Sequence, residues 1–194
     1  MKRPIHLCSL AIFLFLASVA VVAQDNGVNV PADVKPFVEK GMAALAVETA
    51  DLNGDGLKDY ILVVENAKAV DNIDDEGPRT LMILIRGTDG KLKLVKKNDK
   101  VVFCRRCGGV FGDPFAGLRV KLNSFTVDNY GGSNWRWSDS YTFNYSRIDK
   151  TWQLVRVVRE SFMATDPNKV KSRTILPAKF GKVDIADLDP DKIK

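Results

Sequence analysis

Apolar and polar positions alternate with a period of two along much of this chain. Leu118, Val120 and Leu122 are separated by Arg119 and Lys121, and the pattern resumes at Phe125 and Val127 after Asn123-Ser124. A period of two puts successive side chains on opposite faces of a strand, and so short a polar break predicts a tight hairpin. Tyr141, Phe143 and Tyr145 alternate likewise, with 152–159 answering them across Asp149-Lys150. Segment 81–86 faces 92–96 across Asp89-Gly90, a strong turn signal. Ile61-Leu62-Val63-Val64 does not alternate, which predicts a strand buried on both faces.

The remaining segments complete the organisation. Residues 24–30 read as a flexible lead-in, and 31–40 as a short helix ended by Gly41. Strands at 46–51 and 60–65 flank an acidic loop, and the polar stretch 66–79 reads as an exposed loop. The tail, 177–194, is polar and expected to pack loosely on Ile185 and Leu188. The expected fold is mainly β, an antiparallel sheet of hairpins with a short N-terminal helix, with α+β left open. A single β domain spans 31–176.

The amino terminus adds a location. Lys2 and Arg3 precede an apolar run at 10–22, and Val21-Val22-Ala23 ends it with small residues. This order is that of a secretory signal, 1–23, removed after Ala23. The run is short of the roughly 20 residues a membrane span needs, and Cys8 lies before it, where a lipoprotein cysteine would follow. The expected location is periplasmic or secreted, with no membrane span after signal removal. Cleavage removes the only histidine, His6, and lowers the net charge from +5 to +3, since 29 basic residues become 27 against 24 acidic ones. So small a surplus gives no reason to propose nucleic acid as a partner. The lysines at 91–100 alternate with Leu92 and Leu94 as on the wet face of a strand.

Loop 51–59 carries the most specific chemistry. Side-chain oxygens of Asp51, Asn53, Asp55 and Asp59 can converge, Gly56 permits the sharp bend, and the Leu57 carbonyl can add a backbone ligand. A hard cation such as calcium takes six to eight oxygen ligands, whereas zinc prefers nitrogen and sulfur. The bland alternative is a metal-free turn rich in Asp, Asn and Gly. An EF-hand would place a bidentate Glu at the twelfth position, where this chain has Leu62. The pattern instead resembles the strand-flanked Asp-x-Asn-x-Asp-Gly-x-x-Asp loops of FG-GAP and VCBS-type repeats. That resemblance covers about 46–64 and implies structural calcium held by Asp51, Asn53, Asp55, Leu57 and Asp59. The loop occurs once, so the propeller of those families does not carry over.

Cys104 and Cys107 are the only cysteines beyond the signal. Export favours a disulfide. A redox pair activated by Arg105 and Arg106 comes next, and zinc shared between molecules last, because the chain supplies no further Cys or His ligand. Glycines and aromatics crowd 108–137, where Trp135 and Trp137 fall on one strand face and Arg136 on the other. A turn followed by core tryptophans is the plain reading. A sugar or peptide site with Asn134, Arg136 and Asp113 as hydrogen-bonding partners is the sharper one. The segments Cys-x-x-Cys-Gly-Gly-x-x-Gly-Asp-Pro-Phe-x-Gly and Tyr-Gly-Gly-Ser-x-Trp-Arg-Trp resemble those of exported bacterial β proteins, which implies class alone.

Without histidine, Ser-His-Asp and Cys-His hydrolases are excluded, and no phosphate-binding glycine loop precedes a helix. The first expectation is a noncatalytic module binding a surface polymer or protein. A purely structural envelope component is a further reading. The enzyme alternatives are a Cys104/Cys107 thiol–disulfide protein or a His-free hydrolase using two of Asp71, Asp74, Asp75, Glu76, Asp113 and Asp139.

Overall fold

Alternation and turn chemistry build two antiparallel sheets. The computed structural model describes residues 27–70 and 77–194; the expected signal, 1–23, and Asp71, Asp74, Asp75 and Glu76 lie outside them. The first sheet contains β1 (Met42–Ala50), β2 (Asp59–Asn66), β3 (Thr80–Arg86) and β4 (Leu92–Asn98), in that order. The second contains β5 (Phe115–Lys121), β6 (Ser124–Gly132), β7 (Trp135–Ser146), β8 (Thr151–Met163) and β9 (Asp166–Ile175), also in chain order. The Asp89-Gly90 and Asp149-Lys150 hairpins stand where the sequence predicts them. Between β5 and β6 the turn residues are Leu122-Asn123, one position earlier than the polar pair suggests. Asn123 takes a positive φ of 57°, and Leu122 is exposed.

The unbroken apolar run of β2 is explained by burial on both faces. Ile61 and Val63 join Leu81 and Ile83 in the core between the sheets, facing Phe125, Val127, Tyr141 and Phe143. Leu62 and Val64 point the other way, into a smaller cluster with Val34, Met82 and Leu84. The segment covering that cluster is not the expected helix at 31–40. It forms one 3-10 turn, Lys35–Phe37, held by i→i−3 bonds such as Phe37 N–H to the Val34 carbonyl at 3.0 Å. Pro36 has no N–H to continue a helical ladder, and buried Val34 anchors the turn to the sheet.

Three further expectations change. The tail is packed rather than loose, because Ile185, Leu188 and Ile193 are all buried in the main core. Buried Asn98 fixes it by donating to the carbonyls of Ile185 and Leu188 at 2.8 and 2.9 Å. Arg79 is not part of an exposed loop: it is 1% exposed. In β4 the lysine–leucine alternation is interrupted by a bulge opposite Ile83/Leu84, which leaves both Leu94 and Val95 exposed. Among the described residues no helix is long and apolar enough to cross a membrane.

Candidate functional site

The acidic loop closes one end of the core. Asp51 accepts backbone N–H groups from Gly54 (2.7 Å), Asp55 (3.2 Å) and Gly56 (2.9 Å). Asn53 accepts from Asp55 N–H, and Asp55 from Leu57 N–H. Gly56 adopts φ 85°, a conformation that side chains disfavour. Carboxylate oxygens of Asp51, Asp55 and Asp59 all lie within 4.8 Å of one another. Asp51 Oδ2 and both oxygens of Asp55 and of Asp59 each accept a single hydrogen bond and keep a second lone pair, and all these donors are hard, so the set fits a calcium-like cation. Asp59 differs from the other two. It is fully buried and accepts Leu52 N–H and Arg86 N–H, both at 2.9 Å, which ties the loop base to β3. Burial raises its carboxyl pKa against those two hydrogen bonds, and the charges of Asp55 and Asp51 raise it further.

The loop is also joined to the second sheet. Trp152 donates from Nε1 to the Leu52 carbonyl at 2.9 Å, and Asn123 N–H donates to the Asp51 carbonyl at 2.9 Å.

The opposite end of the core is closed by an ion cluster that the sequence did not disclose. Arg79 donates from Nε (3.0 Å) and Nη2 (2.8 Å) to Glu65, and from both terminal nitrogens to Asp113 at 2.6 and 2.5 Å. Arg105 reaches the other Glu65 oxygen at 2.6 Å. Burial pushes the Asp113 carboxyl up, but Arg79 overrides it and holds the group below the usual range. Asp113 is thus held by Arg79 and stands apart from the Trp137 row. Cys104 and Cys107 form the disulfide that closes the turn carrying Arg105.

Between these ends, the inner face of the second sheet changes character at one line. Register places Leu118, Val127, Tyr141, Val157 and Ile175 in one apolar row. The next row is Asn129, Asp139, Arg159 and Arg173, and the one after it Gly131, Trp137, Ser161 and Lys171. Adjoining cavities of about 580, 370 and 330 Å³ open over these polar rows, and Trp137 lines all three. Gly131 is what lets the indole lie there, since a Cβ on it would meet the Trp137 ring at 2.6 Å. Phe103 packs beside Trp137 with ring centroids 5.8 Å apart. Buried Asn129 secures that wall, accepting from Phe103 N–H and donating to the Val101 carbonyl.

Within the cleft, Asp139 accepts a 2.9 Å bond from the Tyr141 hydroxyl and lies 3.3 Å from Arg159 Nε. Burial raises its carboxyl pKa, opposed by those two partners. Burial also raises the Tyr141 phenol.

The remaining candidates are divided. Trp135 shares the inner face with Trp137 and is 52% exposed. Arg136 points to the other side, its guanidinium 3.7 Å from the Phe111 ring centre. Asn134 is exposed in the β6–β7 turn, where its carbonyl accepts Ala164 N–H. Arg159, Lys171 and Arg173 were missed. Their alignment with Trp137 depends on strand register, and no motif in the sequence records it.

Fold and site together define a two-sheet antiparallel β protein with an acidic loop at one end and an aromatic–polar cleft beyond its core. No protein-family model matches the chain, and no curated protein or solved structure does either.

Proposed function

We propose that this chain is an exported, noncatalytic module that binds a surface polymer or protein in the Trp137 cleft, with calcium bound at loop 51–59 as a structural ion. The observation that carries the reading is the row-wise switch on the inner face, from apolar residues to Trp137, Asp139, Arg159 and Ser161 beneath open cavities. Aromatic area with a few fixed polar groups is the usual composition of a ligand site. Asp139 is engaged by Tyr141 and Arg159, which suits positioning better than proton transfer. Calcium is supported by the all-oxygen donor set of three clustered carboxylates.

Affinity electrophoresis through gels containing soluble envelope polysaccharides tests the binding role. Wild-type protein should be retarded without releasing new sugar ends, and Trp137→Ala should run freely. Equal mobility of the two proteins in every gel would sink this reading.

Thiol–disulfide exchange is the second reading, favoured because Cys104 and Cys107 line the largest of the three cavities. It requires that reduced protein reduce a small disulfide faster than free dithiol does.

A further inference from the structure

The cleft's charge goes beyond a generic binding face. Across the two polar rows, Arg159, Lys171 and Arg173 share one surface with Asp139, and Asp191 joins Asp139 only where the cavity passes Arg159, away from Lys171 and Arg173. Asp139 is engaged through one oxygen by the Tyr141 hydroxyl and by Arg159. Glu160 reaches the rim, but it bonds Ser138 and Ser172 on the opposite face. Lys171 has no carboxylate partner among the described residues; its ammonium sits 5.7 Å from the Trp135 ring centre. Arg173 is exposed and makes no ion pair among the described residues. Lys171 and Arg173 therefore line the cavity beside Trp137 without an ion pair among the described residues.

Resting on the binding role proposed above, we infer that the ligand is an anionic polysaccharide of the uronic-acid class. Its sugar rings would lie on Trp137, and its carboxylates would meet Lys171 and Arg173. The chemistry matches at each point. A pyranose presents an apolar C–H face to an indole and a rim of hydroxyls to Ser161, Arg159 and Asp139. Arginine pairs with a carboxylate through two parallel N–H bonds. Strand alternation places Lys171 and Arg173 about 6.6 Å apart along β9, so a polymer charged at every ring can satisfy both. β9 is an edge strand, and its cations also discourage pairing with another copy; an anionic ligand turns the same charges to recognition.

Isothermal titration with a galacturonic-acid oligomer, a neutral galactose oligomer of equal length and polyglutamate decides the matter. The uronic oligomer should bind at least tenfold more tightly than the neutral one and weaken steeply with salt. Lys171→Ala/Arg173→Ala should lose that preference without a change in melting temperature, because both side chains are exposed. Equal binding of the two sugars, lost in Trp137→Ala but not in the double variant, would overturn the anionic assignment while leaving the binding role intact. Preference for polyglutamate would replace the glycan with an acidic peptide. Binding of none of the three overturns the assignment, whereas the gel experiment above still judges the role.

Discussion

β2 carries a buried acid at each end of its inner face, Asp59 at its start and Glu65 near its finish, and the two are neutralised by opposite means. Glu65 meets Arg79 and Arg105, and Arg79 also holds Asp113, so two carboxylates face two guanidiniums. Asp59 meets only backbone N–H groups from side-chain-independent donors, with Asp51 and Asp55 crowding it. One end supplies its own cations. At the other, three carboxylates gather with no cation paired to them among the described residues, which is the arrangement that a divalent ion from solution would complete.

The largest expected effect is at the self-neutralised end. Arg79→Met should destabilise the protein by about 3–5 kcal/mol in urea unfolding, because buried Glu65 and partly exposed Asp113 are left without their main partner. A loss below about 1 kcal/mol would mean that the cluster is worth no more than a surface pair. The acidic end comes next. Calcium at a hundred times its dissociation constant should add about 2.7 kcal/mol, and Asp55→Ala should lose that increment while Arg79→Met retains it. Stabilisation of Asp55→Ala to the wild-type extent would break the comparison. Reduction of the Cys104–Cys107 bridge should have a smaller effect, at most about 2 kcal/mol, because the closed loop is so short. A larger loss would show that the turn does more than present Arg105.

The smallest effect separates the ends by the sign of their pH dependence. The folded-state pKa of Asp113 is lowered, so its contribution is present above the unfolded value and is lost as pH falls through the folded one. Asp59 is raised, so in chelated protein its strain is relieved as pH falls through its folded value toward the unfolded one. Asp113→Asn should flatten the acid-side decline measured by urea unfolding at successive pH values, and Asp59→Asn should steepen it.

Hairpins were legible because each depends on local chemistry. Asp89-Gly90 and Asp149-Lys150 mark turns between runs whose period is two, and the same period placed Trp135 and Trp137 on one face. β9 was not legible, since only Ile175 in it is buried and the rest carries no apolar alternation. Nor was the burial of Arg79, which stands at the end of a polar acidic stretch and acquires its partners from positions 65 and 113. The polar rows of the cleft were hidden for the same reason. Each strand shows only one or two of their members, and pairing across the sheet brings them together. The 31–40 helix failed because Pro36 breaks the ladder at a point that periodicity alone does not register.

The anchoring of Trp152 to the Leu52 carbonyl has a practical consequence. The chain has three tryptophans. Trp152 is buried at the base of the acidic loop, while Trp135 and Trp137 lie on the cleft face. Intrinsic fluorescence is thus divided by place: emission from a Trp135→Phe/Trp137→Phe protein reports on the loop alone, and emission from Trp152→Phe reports on the cleft. The proposed ion loading and ligand capture would thus be read as separate optical signals in one unlabelled molecule.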